Sequence, residues 1–312
     1  SAAINALPPE GGTIFIPAGV YDIAPPDAPL DINKPNVHLI GDGPGLTILE
    51  CASGSSLSTV LQVRASRCTL EGLTIRQKPP QVAGSAIGID IGSSTSEVRH
   101  TILRDIEVSG LPAAGIRIGV SAQPVSILLC DRVRVRGCLT YPQLHIGTAN
   151  ELLMFRECGF DAASEGVRGV LIDNSSRVKL YSCRGMPSAN TPWLVAQGGR
   201  HVVVDNCEIG DGAAPQAFYL TFESVGGGVV RNTRLHNGAK GVSFTNCTAP
   251  QIVGNLFHAI GSATNPDMIA LSGTRFATII NNAYLNAGTA ARSDAYLTET
   301  LGTEGTYHVG FE

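Results

Sequence analysis

VVVDNCEI (202–209), GVVRNTRL (228–235), QIVGNLFH (251–258) and TIINNAYL (278–285) are four copies of one short pattern. Each has an apolar pair, a variable residue, an asparagine, and then a small or apolar residue. The asparagines Asn206, Asn232, Asn255 and Asn282 stand 26, 23 and 27 residues apart. Carried backwards, the register puts Ser182, Glu157, Asp131 and Asp105 in the same column. The next column reads Ile106, Cys158, Cys183, Cys207, Thr233, Leu256 and Ala283. A self-similar period of this length marks a stacked architecture.

The unit is not helical. Its cores are Val, Ile and Leu in period-2 alternation, bounded by Gly, Asn and Ser, and no i, i+3, i+4, i+7 stripe is sustained. A unit of about 24 residues with two or three short strands is one coil of a β-solenoid. Coils stack about 4.8 Å apart, so equivalent residues form columns of like on like. A buried amide in such a column donates to and accepts from its neighbours above and below. The expected fold is all-β: one right-handed parallel β-helix of about ten coils with a short N-terminal cap, the hand following from that of parallel crossovers.

The unbroken repeat phase argues for one domain across all 312 residues. Residues 1–56 are read as cap and first coil, 57–293 as regular coils, and 294–312 as a closing segment. Charged residues are only 15% and glycines number 36, as expected of buried strands joined by tight turns. A net charge of −4 with no basic patch excludes nucleic acid as a partner. No run of eighteen apolar residues is present, so no membrane span is expected. The eight cysteines form no CxxC pair, which argues against a zinc or redox site. Cys158, Cys183 and Cys207 fall one coil apart, and a stack of three cannot pair fully; buried free thiols are expected.

Taken in order, SAAINAL (1–7) reads as a short helix plugging the open end, whose first coil otherwise exposes an unpaired edge. GGTIFIPAGVYDI (11–23) is followed by VHLIGDGPGLTILECASG (37–54). These fifty-odd residues resemble the opening of the pectate-lyase-like β-helix superfamily, which includes polysaccharide lyases, glycoside hydrolases, uronan epimerases, fructan-cleaving transferases and phage tailspikes. The resemblance implies the fold and leaves the chemistry open, since one scaffold hosts many activities. The Arg-Ile-Lys and Gly-His-Gly of polygalacturonases, the Arg-x-Pro-x-x-Arg of pectate lyases and the Asp-Pro-His of uronan epimerases are missing, as are Asp-rich calcium nonapeptides. No catalytic residue is carried over, no cofactor is expected, and a calcium requirement stays open. Gly41-Asp42-Gly43-Pro44-Gly45 lacks the lysine of a phosphate loop and reads as a turn.

The inward rows of the first strand in each coil are expected at Leu61/Val63, Ile87/Ile89, Ile116/Ile118, Leu144/Ile146, Val170/Ile172, Leu194/Ala196, Phe218/Leu220, Val242/Phe244 and Ile269/Leu271. Their alternates point out. That places Arg117 and His145 one coil apart, flanked diagonally by Asp90 and Asp173. An arginine beside a histidine and two carboxylates suits an acidic sugar: the guanidinium neutralises its charge and the imidazole moves a proton. Arg64, Gln197, Tyr219 and Glu223 on the same face are the candidate substrate-binding residues. Leu171, Val195 and Tyr219 form an outward apolar column that suggests a homotrimer interface.

Two further acidic groups come from the paired-carboxylate logic of glycosidases. One is Asp205, Glu208 and Asp211 with Glu223 one coil on; the other is Asp161 with Glu165. Histidines 38, 100, 201, 236, 258 and 308 read as turn or surface residues. The favoured function is a secreted carbohydrate-active enzyme, a lyase or a hydrolase/transferase, cleaving glycosidic bonds of an extracellular polysaccharide. The alternative is a non-catalytic fibre, tailspike shaft or adhesin.

Overall fold

A computed structural model describes residues 2–24, 29–52, 58–81, 84–120, 123–162, 166–188, 190–211, 217–238, 240–260, 268–285, 297–299 and 305–311. All the strand pairings are parallel. One sheet has eleven strands, one from each coil, against about ten coils expected. It runs from Leu30–Ile32 through Ile87–Ile91, Ile116–Ile118, Leu144–Ile146 and Val170–Asp173 to Leu297–Glu299. The other sheet, of nineteen strands, forms a second and a third face joined by a sharp bend. Strands Thr69–Gln77, Val98–Ser109, Val125–Arg136 and Thr278–Leu285 cross that bend unbroken, whereas the coils between Arg136 and Thr278 split there, as in Glu151–Arg156 and Gly159–Asp161.

The bend is made by one left-handed residue per coil. These are Gly72, Asp105, Arg132, Glu157, Ser182, Asn206, Asn232, Gly254 and Asn281, with φ from 49 to 69°. The expected column is therefore correct at Asp105, Glu157, Ser182, Asn206 and Asn232, and one residue out at Asp131, Asn255 and Asn282. The reason is local. Gly254-Asn255 and Asn281-Asn282 each offer two residues that tolerate left-handed backbone. The strand register, with Val253 opposite Ile280, selects the first of each pair.

Asn255 and Asn282 thus enter the interior column, which reads Val133, Cys158, Cys183, Cys207, Thr233, Asn255, Asn282, leaving Leu256 and Ala283 outside it. Both asparagines are buried. Asn255 Nδ2 donates to Asn282 Oδ1 and to Val230 O, each at 2.9 Å, and Asn282 Nδ2 donates to Ile252 O at 2.9 Å. The thiols follow the same habit. Cys158 reaches Cys130 O at 3.5 Å, Cys183 reaches Phe155 O at 3.4 Å and Cys207 reaches Leu180 O at 3.5 Å. All eight cysteines are free and buried. Burial pushes the Cys138 thiol up to about 12.

The core is a single apolar column along the axis, with Phe222 stacked on Phe244 at 4.6 Å between centroids. Fully burying such a side chain contributes roughly 1.5–3 kcal/mol. At the N-terminal end the helix Ala2–Ala6 lays Ile4 against this core, and Lys34 Nζ donates to Asn5 O and Leu7 O. Among the described residues no helix is long and apolar enough to cross a membrane.

Two inward rows differ from expectation. Ile89/Ile91 and Leu220/Phe222 occupy the positions assigned to Ile87/Ile89 and Phe218/Leu220. In IGIDI and FYLTFE a shift by two residues leaves the alternation unchanged, so the pattern carries no information on it.

Candidate functional site

On the first sheet the corrected register puts Asp90, Arg117 and His145 in one column, with Leu171, Val195 and Thr221 continuing it. Arg117 holds Asp90 through two bonds, Nε to Oδ1 at 3.0 Å and an Nη2 contact to Oδ2 at 2.6 Å. This pairing raises the Arg117 guanidinium further above its ordinary value. His145 Nε2 lies 2.8 Å from Asp173 Oδ2. Arg64 pairs with Asp31, and Gln197 Nε2 donates to Glu223 Oε2 at 3.2 Å. The four residues expected to act together are brought together, but as two closed pairs. Arg117 is already neutralised by Asp90.

Tyr219 is not on this face. It is fully buried, with its hydroxyl donating to His236 O at 3.1 Å and Asn237 O at 2.8 Å. It lies at the start of the strand Phe218–Glu223, level with Trp193 one coil earlier. A core tyrosine does not bind substrate. In the apolar column offered for a trimer, Tyr219 is in the core, Val195 is only 3% exposed and Leu171 is half-buried.

The carboxylates of the second group separate. Asp205 faces out from the second face, where Arg231 and Asn232 hold it at 2.7–3.1 Å. Glu223 belongs to the first sheet. Glu208 and Asp211 belong to the third face, with Asp161; Glu165 lies outside the described residues.

The third face has two outward columns. One reads Glu107, Arg134, Gly159, Arg184, Glu208, Arg234; the other reads Ser109, Arg136, Asp161, Met186, Gly210, His236. Gly159 makes a notch in the first, since a Cβ there meets nothing nearer than Arg134 Cγ at 3.6 Å. Depressions of about 670 and 210 Å³ meet at Asp161. Glu107, Arg132, Arg134 and Glu157 line the larger; Glu208, Asp211 and His236 line the smaller; Arg184 lines both.

The electrostatics of this groove are uneven. Burial raises the Asp161 carboxyl above the usual aspartate range, and the Arg134 and Arg136 charges and the Met186 amide only partly oppose it. Glu208 is half-exposed and faces basic groups on three sides: Arg184 Nε at 3.6 Å, Arg234 Nη1 at 3.6 Å and His236 Nε2 at 3.7 Å. His236 is buried against Gly210, with Nδ1 3.4 Å from Asp211 Oδ1. A carboxyl that burial makes harder to ionise thus shares a groove with one that faces basic groups, an arrangement suited to paired acid and base work. Among the described residues no group of three or more His, Cys, Asp or Glu is arranged to hold a metal ion.

Sequence reasoning passed over Arg134, Arg184, Arg234 and His236. The signal was present: each of these arginines directly follows the interior column, after Val133, Cys183 and Thr233. His236 lies in the strand Arg234–Gly238, two residues after Arg234 and so on the same side of it.

The chain is similar in structure to several solved proteins. The Azotobacter vinelandii mannuronan C-5 epimerase AlgE4 A-module matches at a TM-score of 0.65 and 15% identity, over 96% of this chain and 91% of that one. DFA-IIIase mutant C387A from Arthrobacter chlorophenolicus A6 matches at 0.73 and 12% identity, over 95% and 84%. The fold is the parallel β-helix. The catalytic unit of a GH87 alpha-1,3-glucanase from Streptomyces thermodiastaticus strain HF3-3 matches at 0.56 and 14% identity, over 98% of this chain and 65% of that one. No protein-family model and no curated protein matches the chain.

Proposed function

We propose that the protein is a carbohydrate-active enzyme that hydrolyses glycosidic bonds of an extracellular polysaccharide in the groove of the third face. The observation that carries the reading is the contrast between Asp161, whose proton burial holds more tightly, and Glu208, which faces basic groups on three sides in the same groove. The structural neighbours named as an epimerase, a DFA-IIIase and a glucanase support a role in carbohydrate processing. Asp161 gives its proton to the glycosidic oxygen as the bond to the anomeric carbon breaks. Glu208 takes a proton from the water that attacks that carbon, so the products gain one water. The two residues sit two coils apart, about 10 Å along the axis. That is far from the roughly 5 Å spacing of retaining enzymes and nearer the roughly 6.5–9.5 Å of inverting ones, with room for the water between the carboxyls.

Incubation with polyuronates, fructans and neutral glycans tests this, with product masses read by mass spectrometry. Addition of water, lost in both Asp161→Asn and Glu208→Gln, supports it. A turnover untouched by these changes, or a panel left intact, overturns it, and the intact panel returns the chain to the scaffold reading.

The His145–Asp173 contact of 2.8 Å favours a second reading, proton abstraction on the first sheet. Its products are unsaturated and lack the added water, and its activity is lost in His145→Ala.

A further inference from the structure

The second face carries an apolar depression of about 770 Å³, away from both sites above. Ile102, Ile127, Leu129, Leu152 and Met154 form its floor. Of these, Ile127, Leu152 and Met154 are 41, 45 and 42% exposed. Ile127 and Leu152 also sit at the corner entering the face with left-handed backbone, φ 58° each. That conformation is unfavourable for any L side chain and most of all for a β-branched one. Other coils place Asn36, Arg67, His100, Arg177, His201, Gly227, Ala249 or Phe276 at this corner. What sets these two coils apart is the clustering of exposed aliphatic side chains, Ile127, Leu152 and Met154, which marks a surface kept for contact.

Charge and spacing select the partner. Arg177 and Lys179 lie on one side, His100 and His201 at the ends, and no carboxylate lines the depression among the described residues. Arg177 Nη1 reaches Glu151 at 2.7 Å, whereas Lys179 has no ion-pair partner among the described residues. No aromatic ring lines it, so it offers no platform for a sugar. Side chains of one column stand about 4.8 Å apart, close to the roughly 5.4 Å pitch of an α-helix and short of the roughly 6.6 Å between same-face residues of a strand. Five coils span about 19 Å, the length of roughly 13 helical residues.

We infer that this face docks an amphipathic α-helix of a partner protein, three to four turns long by that spacing, with an apolar stripe flanked by acidic residues. The apolar stripe seats on Ile127, Leu152 and Met154, and the acidic flank meets Arg177 and Lys179. A second copy of the chain packed through the same face sets Lys179 against basic groups, and the nearby carboxylate, Glu151, is already taken by Arg177. The helix Ala2–Ala6 of this chain carries no acidic residue.

A fluorescein-labelled 14-residue helical peptide, with leucines at i, i+3, i+4 and i+7 and glutamates beside them, is titrated against the full chain by anisotropy. The expected result is saturable binding, at least tenfold weaker when lysines replace the glutamates, and at least tenfold weaker to Leu152→Asp. Aspartate tolerates left-handed backbone, so that variant folds, as circular dichroism confirms. Absence of saturable binding, equal binding of the two peptides, or indifference to Leu152→Asp overturns the proposal. So does a self-associated wild type that Leu152→Asp renders monomeric by sedimentation, which makes the occupant a second copy.

Discussion

The indole of Trp193 fills the space that a side chain at Gly185 requires. A Cβ on Gly185 falls 2.1 Å from the indole nitrogen, which itself donates to Phe160 O at 2.7 Å. The glycine and the tryptophan belong to successive passes of one coil, so the corner between the third and first faces is a fitted pair. Gly185→Ala is expected to cost about 1–3 kcal/mol by overpacking. Urea unfolding followed by Trp193 fluorescence measures it; an unchanged midpoint and emission maximum contradict the account.

Asn282 satisfies two donors of the coil below it, since its Oδ1 accepts from both the Asn255 amide nitrogen and Asn255 Nδ2 at 2.9 Å. Asn282→Leu keeps the volume, strands the Asn255 amide nitrogen and leaves Asn255 Nδ2 only its bond to Val230 O. The expected loss is about 1–3 kcal/mol, the cost of one buried donor left unmade. Asn206→Leu at the exposed bend, where Asn206 Nδ2 reaches only Ser182 Oγ, should lose less.

Two aspartates give stability opposite slopes with pH. Asp161 has a folded pKa raised by burial, so it binds its proton more tightly folded than unfolded. Its contribution is present below the unfolded value of about 3.9 and is lost as pH rises through the folded value. Asp131, bonded by Arg156 at 2.8 and 2.9 Å, has a lowered pKa, mainly through that bond. Its contribution is present above the unfolded value and is lost as pH falls through the folded one. Relative to wild type, Asp161→Asn should gain stability from pH 4 to 7, and Asp131→Asn should lose its deficit toward pH 2, by thermal melts across that range.

Ile127→Asn should stabilise the fold by about 1 kcal/mol, because left-handed backbone costs an ordinary L residue roughly 1–2 kcal/mol and asparagine much less. A denaturant midpoint that falls instead means the isoleucine gains more from its apolar neighbours than it loses in backbone strain.

Much of the fold could be read from the chain because the repeat writes itself on two independent features, apolar alternation and a bend residue. Cys158, Cys183, Cys207 and Thr233 were placed correctly, since only one register puts small residues inside. What could not be read had a physical cause. Alternation has period two, so IGIDI and FYLTFE slide by two residues at no visible cost, which moved Asp90 and Thr221 into other columns. Tyr219 was assigned outward because alternation says nothing of a corner, where the backbone turns a side chain into the core. The third-face groove was legible in part: Asp161, Glu208 and Asp211 were candidates, but their grouping depends on which face follows the bend. The tuning of Asp161 comes from burial, which no residue spacing states.

Most of the interior side-chain donors reach one way. Cys158, Cys183, Cys207, Asn255 and Asn282, and likewise Cys247 to Phe222 O and Thr274 to Phe244 O, donate to carbonyls of the coil that precedes them in the chain. A coil emerging later therefore brings its own donor to an acceptor already in place. For these bonds the unfinished end shows only waiting carbonyls; exceptions include the Thr233 amide, which awaits Asn255 Oδ1, and the Asn255 donors, which await Asn282 Oδ1. Built in this sense, the cylinder is suited to vectorial assembly, added turn by turn as the ribosome releases it, and each completed turn is the template for the next.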